Sequence, residues 1–317
     1  MPGTSILLEG LLMKTKAFGL ALLLSTLPAV AANNATVDKS INQCNQSIKE
    51  GNASKALDYA NAALQLDKSS HDALLCKGRA YDALQQYPQA IEALQASEKA
   101  ATDANQRMLS LLILGNVQRE AGQRAQALET YEKGLTVARA EKSSSFERAS
   151  QNMIGDTQLE GGQPDEALKS YQQGSQLAAN DNERGESYAR IASAHDKLGN
   201  PAGAIEYQIK AMLMQEQAGE RDEYANAGLD LSHYYLKAKD YTGAENTINK
   251  VLKFAKDNGS PYWEARSSYV LGQVKAAQGD VEGARTLMLA AHHTARQIGA
   301  TSLANEIGNA MLDLEKK

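Results

Sequence analysis

The chain has 317 residues and a formal net charge of −5, with 33 Lys and Arg against 38 Asp and Glu. Hydrophobic residues at 43% and charged residues at 22% are typical of a folded chain, which argues against wholesale disorder. The mild acidity argues against electrostatic binding to nucleic acid or to an anionic membrane surface. Abundant Ala with three Phe and one Trp favours packed helices over sheets.

The first 31 residues have the three parts of an export signal. A basic start at 13–16 precedes an apolar run from Ala17, and residues 28–32 supply the small side chains that a signal peptidase accepts. The apolar run is about half the roughly 20 residues needed to span a bilayer. We therefore predict a signal peptide over 1–31, with Met13 as an alternative initiator, and no membrane insertion after cleavage. The predicted destination is the periplasm, with secretion as the alternative.

The rest of the chain repeats one pattern. Seven alanines recur at spacings of 34 to 40 residues: Ala56, Ala90, Ala127, Ala167, Ala204, Ala244 and Ala284. Twelve residues before each lies a small residue: Cys44, Gly78, Gly115, Gly155, Ala192, Ser232 or Gly272. Five residues before five of the alanines lies a glycine, where a helix would need a left-handed stop: Gly51, Gly122, Gly162, Gly199 or Gly279. Agreement across these columns indicates internal repeats.

Each repeat is predicted to be a pair of amphipathic helices. Small residues let the two backbones approach closely, and all four mature prolines fall in first helical turns, where proline is tolerated. The predicted repeats start near 37, 71, 108, 148, 185, 225 and 265 and fill one solenoid domain over 32–317. Leu303, Ile307, Met311 and Leu314 predict a last amphipathic helix over 301–317 that caps the array.

This pattern resembles the tetratricopeptide repeat family, over roughly residues 37–300. The clearest unit has Gly115, Gly122, Ala127, Tyr131 and Gly134. The resemblance implies an all-α fold, a right-handed α-solenoid of about seven helix-turn-helix repeats with a C-terminal capping helix. Repeats of 37 to 40 residues imply helices longer than the family standard.

The sequence offers no constellation for catalysis. His292 and His293 are adjacent on a helix and point about 100° apart, so they do not form the same-face pair that binds zinc. We therefore predict no enzyme activity, no cofactor and no metal site. Cys44 and Cys76 lie on the first helices of neighbouring repeats, and two readings stay open: a disulfide, which an oxidising compartment would preserve, or two buried thiols.

The family resemblance places the first helices along the inner surface of the array. Two rows of residues there define a predicted partner-binding groove. One row lies three residues before the small sites and is mostly apolar. The other lies one residue after the small sites and is polar. The groove residues are Ile41, Asn45, Leu75, Arg79, Leu112, Asn116, Asp156, Leu229, His233, Tyr269 and Gln273. An apolar row beside hydrogen-bonding side chains suits an extended peptide.

The favoured function is a non-catalytic adaptor of the bacterial cell envelope that binds another protein or a peptide segment in this groove. The resemblance implies scaffolding in envelope assembly, secretion or cell-wall machinery without selecting one. Two alternatives stay open: a structural solenoid that self-associates into homo-oligomers, and a regulatory subunit of a cell-wall enzyme. Fold-level analogy alone is a weak basis for choosing among them.

Overall fold

A computed structural model describes residues 34–314, which form fifteen helices and no strand. Helix α1 covers residues 34–49. The other helices are α2 Ala53–Leu66, α3 His71–Ala83, α4 Tyr87–Ala100, α5 Ala104–Glu120, α6 Arg124–Ala140, α7 Ser144–Glu160, α8 Pro164–Ser175, α9 Asp181–Lys197, α10 Pro201–Ala218, α11 Arg221–Lys237, α12 Tyr241–Asp257, α13 Pro261–Ala277, α14 Val281–Gln297 and α15 Thr301–Leu314. The fold is therefore an all-α array of helix pairs. The predicted signal peptide lies outside the described residues.

The chain divides into two compact units, one ending at Lys142 and the other beginning at Ser143. In each unit the first helix of a pair packs against its second helix, which in turn packs against the first helix of the next pair. The first unit holds α1–α6 and the second holds α7–α15. No helix within residues 34–314 is both long and apolar enough to cross a membrane.

The columns of small residues lie at the centre of each helix pair. All seven recurring alanines, from Ala56 to Ala284, are fully buried. Cys44, Ala192 and Ser232 of the first-helix column are also fully buried. Close approach between helices needs small side chains on both partners, which explains why these columns stay small although their neighbours vary.

Glycines end five first helices as the sequence predicts. Gly51, Gly122, Gly162, Gly199 and Gly279 all have positive φ, between 69° and 88°. The two units that lack this glycine place Gln85 and Lys239 at the same column, with φ of 57° and 59°. The turn geometry is therefore kept even where the favoured residue is absent.

Five first helices begin four residues before the predicted repeat starts, at 104, 144, 181, 221 and 261. Capping side chains account for two of these starts. Asp103 accepts a hydrogen bond from the backbone N–H of Gln106, and Asn180 accepts one from that of Glu183. These bonds satisfy N–H groups that a helix terminus leaves without partners, so the helix begins a turn earlier than the apolar pattern suggests.

The last helix covers the end of the second unit. Ile307 is fully buried and Leu303 is 3% exposed, and both pack against Met288, Ala291 and Ala295. An array of helix pairs leaves an apolar face open at its end, and α15 covers that face.

Candidate functional site

A tyrosine on the second helix of a pair reaches across the small site of the first helix. Tyr171 is 1% exposed and lies over Gly155, where an added Cβ would be 2.5 Å from its Cε1 atom. Its hydroxyl donates a hydrogen bond to Oδ1 of Asp156 at 2.7 Å. Burial first, and then the negative charge of Asp156, raises the pKa of Tyr171, so the hydroxyl keeps its proton and stays a donor.

The first unit repeats this contact. The hydroxyl of buried Tyr131 donates a hydrogen bond to Oδ1 of Asn116 at 2.6 Å. Arg79 donates one from Nη1 to Oδ1 of Asn45 at 3.2 Å. The side-chain oxygens of these two asparagines, both in the predicted groove, therefore already accept hydrogen bonds within the chain. Their amide N–H groups are the part left for a partner.

The predicted apolar row is more buried than a binding surface requires. Leu75 is 8% exposed and packs against Leu94 and Leu114, so it contributes to the core of the first unit. Ile41 and Leu112 are half-buried. Residues three positions before a small site lie on the helix face that turns toward the next pair. The larger side chains in this row are therefore shielded from solvent.

The second unit contains a cavity of about 340 Å³, called here the central cavity. Side chains from five consecutive helices, α7 to α11, form its wall. The lining residues are Asp156, Leu159, Tyr171, Gly185, Glu186, Ala189, Arg190, Ser193, Gln208, Ala211, Gln215, Glu223, Asn226, Ala227 and Asp230. Only Asp156 among them belongs to the predicted groove set. Small apolar residues and charged residues therefore share one wall.

A smaller cavity of about 70 Å³, called here the C-terminal cavity, adjoins the central one. Four predicted groove residues line it: Leu229, His233, Tyr269 and Gln273. Leu229 and Tyr269 are 4% and 5% exposed and also belong to the core, whereas His233 is exposed. Asn226 and Asp230 border both cavities, so the two adjoin, and together they are called here the groove of the second unit.

Ion pairs occupy part of the groove wall. Nε of Arg190 lies 3.4 Å from Oδ1 of Asp156, and Arg266 donates a hydrogen bond to Glu306 at 2.8 Å. Desolvation by the surrounding groove raises the pKa of the Asp230 carboxyl, although part of this residue is exposed. The positive charges of His233 and Arg266 lower the same pKa by a smaller amount. The groove therefore holds carboxylates in a partly desolvated setting, where charge interactions are stronger than in water.

Sequence reasoning missed most of the central cavity. Arg190 and Asp230 occupy the column two residues before the small site, where other repeats carry Met153 or Val270, so this column shows no periodic signal. Gln208 and Gln215 come from a second helix, and the family resemblance directed attention to first helices. A cavity assembled from several helices leaves no single spacing in the sequence.

The first unit also contains a buried polar network that was not predicted from the sequence. Nδ1 of His71 lies 2.7 Å from Asp72, and Nε2 lies 2.9 Å from Oγ of Ser110, which is 2.8 Å from Oγ of Ser97. The contacts follow the Asp-His-Ser order of a hydrolytic triad. Both serines are fully buried, and the network ties α3 to α4 and α5.

The two cysteines are bonded to each other. Cys44 and Cys76 form a disulfide between α1 and α3, with their Cα atoms 6.4 Å apart. Within residues 34–314 no group of three or more His, Cys, Asp or Glu is arranged to hold a metal ion.

Comparison with known proteins gives the family. Tetratricopeptide repeat profiles match residues 48–105, 106–180 and 185–217, together more than half of the chain. The chain belongs to the tetratricopeptide repeat family. Repeats of this family are generally non-catalytic interaction modules, and the chain accordingly has the architecture of a protein–protein interaction scaffold. No curated protein matches its sequence significantly.

Several solved structures share the fold. A signal transduction ATPase with numerous domains from Pyrococcus horikoshii, which carries a tetratricopeptide repeat sensor, matches with a TM-score of 0.67 and 17% identity over 84% of this chain. The match covers 44% of that protein, so this chain spans less than half its length.

Two further structures have lengths closer to that of this chain. A tetratricopeptide repeat protein from Parabacteroides merdae has a TM-score of 0.56 and 13% identity, over 86% of this chain and 99% of that one. PilF of Pseudomonas aeruginosa has a TM-score of 0.52 and 15% identity, over 70% and 93%. Identities this low show a common fold and nothing more.

Proposed function

We propose that this protein is a non-catalytic adaptor that binds an extended peptide segment of a partner protein in the groove of the second unit. The observation that carries the proposal is that the central and C-terminal cavities lie side by side, with Asn226 and Asp230 in the walls of both. A peptide in extended conformation needs a row of pockets rather than one deep site, because its side chains project at regular intervals.

The chemistry of the wall supports this proposal. Leu159, Ala189 and Ala211 offer apolar surface, and Ser193 and Asn226 offer hydrogen-bonding groups beside it. The helices that carry these side chains are held by buried cores on both sides, so the groove is formed before a partner arrives. A preformed site binds without first losing conformational entropy, which favours affinity.

We further propose that the chain works after export, in the periplasm. Two features support this: the signal-like sequence of residues 1–31, and the two cysteines joined as a disulfide. Disulfides persist in oxidising compartments and are rare in reducing ones. The proposed role is therefore that of an envelope adaptor which presents a fixed groove to another envelope protein.

Blocking the groove should abolish peptide binding. Asn226 is exposed and borders both cavities, so a Trp at this position would fill the junction without entering the core. We expect Asn226→Trp to weaken binding to an array of immobilised 15-residue peptides at least tenfold. The matched control is Asn249→Trp, at another exposed asparagine, on α12, that lines neither cavity, and it should bind like the unmodified protein.

Two results would contradict the proposal. One is that the unmodified protein retains no peptide above the background of a blocked array. The other is that Asn226→Trp, with an unchanged melting temperature, binds the same peptides as strongly as Asn249→Trp. Concentration-dependent self-association in place of peptide binding would support the structural, self-associating alternative.

A further inference from the structure

The wall of the central cavity carries more negative than positive charge. Four lining carboxylates, Asp156, Glu186, Glu223 and Asp230, face a single lining cation, Arg190. Two of these carboxylates are engaged by arginines, since Asp156 lies beside Arg190 and Glu186 lies 3.3 Å from Nη1 of Arg148. The other two, both on α11, have no ion pair among the residues that the structure describes.

Glu223 and Asp230 are seven residues apart on one helix, so they lie on the same face, about 10 Å apart along its axis. Their negative charge is therefore spread along the wall and does not converge on one point. An elongated organic cation matches this distribution better than a single metal ion, which requires ligands grouped within about 2–2.6 Å of one centre.

Two buried glutamines give a second, independent observation. Gln208 is fully buried and Gln215 is 4% exposed, and both belong to the cavity lining. Each donates through Nε2 to a backbone carbonyl, Gln208 to that of Ala227 at 3.0 Å and Gln215 to that of Asn182 at 3.4 Å. The Oε1 atom of each has no hydrogen-bond partner among the described residues.

A buried acceptor without a partner is unfavourable, and a ligand that supplies an N–H group removes that cost. Helix α10 thus contributes two vacant acceptors, and α11 contributes two carboxylates without ion pairs. These four groups accept hydrogen bonds or attract positive charge, and Asn226 on α11 is a further lining side chain that can also donate. The ligand chemistry that complements this wall is a cation with several N–H donors.

The apolar part of the wall suits the rest of such a ligand. Leu159, Ala189 and Ala211 line the same cavity, and the last two are small enough to leave room beside them. Lysine and arginine side chains carry an apolar stem that packs on such surfaces while the charged end reaches polar groups. Both halves of a basic side chain therefore find a matching surface.

We infer that the central cavity binds basic side chains of the partner peptide, a lysine or arginine at Glu223 or at Asp230, with Gln208 and Gln215 as further hydrogen-bond acceptors. This inference rests on the proposed function and adds the chemical class of residue that the groove selects. The charge of the wall supplies the attraction, and the two glutamine carbonyls supply directional hydrogen bonds. Binding of this kind weakens as salt increases, because part of the interaction is electrostatic.

The test compares two charge-neutralised variants on the same peptide array. Glu223→Gln with Asp230→Asn removes both carboxylates while keeping the shape of the wall. The control, Glu216→Gln with Glu282→Gln, removes the same charge from exposed positions that line neither cavity. Thermal melts of all proteins check that the fold is retained. The probes are 15-residue peptides that carry one arginine or one lysine, each paired with a glutamine counterpart.

We expect the unmodified protein and the control to prefer each basic peptide over its glutamine counterpart at least tenfold. In Glu223→Gln/Asp230→Asn this preference should fall at least fivefold, with binding of neutral peptides unchanged. Equal binding of basic and neutral peptides by the unmodified protein would overturn this inference and leave the adaptor proposal standing. A preference that survives in the double variant would also overturn it, whereas the absence of any peptide binding would overturn both.

Discussion

The tyrosines of this array connect the core of a helix pair to the groove. Tyr171 fills the space that Gly155 leaves and then donates its hydroxyl hydrogen to Asp156 in the cavity wall. A side chain at the position of Gly155 would displace the ring, and the carboxylate of Asp156 would lose its donor. Overpacking of this kind costs about 1–3 kcal/mol. Core packing and groove geometry are therefore set by the same residue.

Another residue-level feature lies at the ends of α3 and α5. Asp82 is partly buried, and burial first, then the nearby negative charge of Glu120, raises its pKa to about 6. A raised pKa means that the folded protein binds a proton more tightly than the unfolded chain does. This carboxyl therefore contributes stability at low pH, and that contribution is lost as the pH rises through about 6.

Replacing this carboxyl with its neutral isostere should stabilise the protein at alkaline pH. We expect Asp82→Asn to raise the free energy of unfolding at pH 8 by about 1 kcal/mol. The expected gain is this small because solvent screens the repulsion between the partly exposed carboxyls of Asp82 and Glu120. The gain should shrink as the pH falls from 6 toward 4, because the folded protein then binds the proton and the unfolded chain, with its ordinary pKa of 3.8, does so only at lower pH. Urea denaturation between pH 4 and 8 measures it, with exposed Asp58→Asn on α2 as the control.

A constant gain of Asp82→Asn over Asp58→Asn at every pH would contradict this assignment. Such a result would point to a packing effect of the amide, because packing does not change with the protonation of a carboxyl.

At the scale of the element, the turn within a helix pair depends on one backbone conformation. Five pairs meet it with glycine, and two meet it with Gln85 and Lys239, whose side chains are disfavoured at positive φ. The glycine turns and the non-glycine turns keep the same hydrogen bond. The backbone N–H of Gly199 donates to the carbonyl oxygen of Asp196, and the backbone N–H of Lys239 donates to that of Leu236. The two non-glycine turns therefore carry backbone strain that the other five avoid.

Relieving this strain should stabilise the second unit. We expect Lys239→Gly to raise the free energy of unfolding by about 1 kcal/mol, since glycine adopts the left-handed conformation without a Cβ penalty. Lys239→Ala removes the same charge but keeps a Cβ, so it serves as the control and should bring no gain. Gly199→Ala, in the equivalent turn, should lose about the same amount. Thermal or urea unfolding of the three variants measures these differences.

The sign of the difference between Lys239→Gly and Lys239→Ala decides the matter. If the alanine variant is as stable as the glycine variant, the left-handed conformation is not the source of strain at this turn.

At the scale of the whole molecule, the two cysteines join helices of neighbouring repeats at the start of the described chain. Cys44 and Cys76 are 0% and 1% exposed, and the bond closes a loop across a sequence separation of 32 residues. A cross-link of this length stabilises a fold by about 2–4 kcal/mol, mainly by restricting the unfolded chain. It therefore holds α1 to α3 across the boundary between two neighbouring repeats.

Protein taken from the native envelope should contain this disulfide. We expect no free thiol by alkylation under denaturing conditions, and an amino terminus at Ala32 or one residue later. Reduction should lower the free energy of unfolding of the first unit by about 2–4 kcal/mol. The control is Cys44→Ala with Cys76→Ala, which should match the reduced protein and be insensitive to dithiothreitol. Two alkylated cysteines in the native sample, with an intact amino terminus, would contradict both the disulfide and the export proposal.

Much of the fold could be predicted from residue spacing. The alanine column, the small residue twelve positions earlier and the glycine stop each follow from local backbone requirements. Because every helix pair has the same requirements, these residues recur at the same positions in each repeat. The sequence also singled out Asp156, His233 and Gln273, which line the groove, because each lies one residue after a small site of a first helix. It did not indicate that Leu75 packs into the core of the first unit, since one helix face can turn either to the next pair or to solvent, and spacing alone does not distinguish the two.

The sequence by itself thus determined the repeat, the helix pairs and the family, since each depends on side chains at fixed distances along one chain. Only the tertiary structure decided the wall of the central cavity, which Gln208 and Gln215 of α10 share with Glu223 and Asp230 of α11. The partners of a side chain on one helix are set by how far that helix is shifted and rotated against its neighbour. That geometry results from packing of the whole pair, and no single spacing in the chain records it.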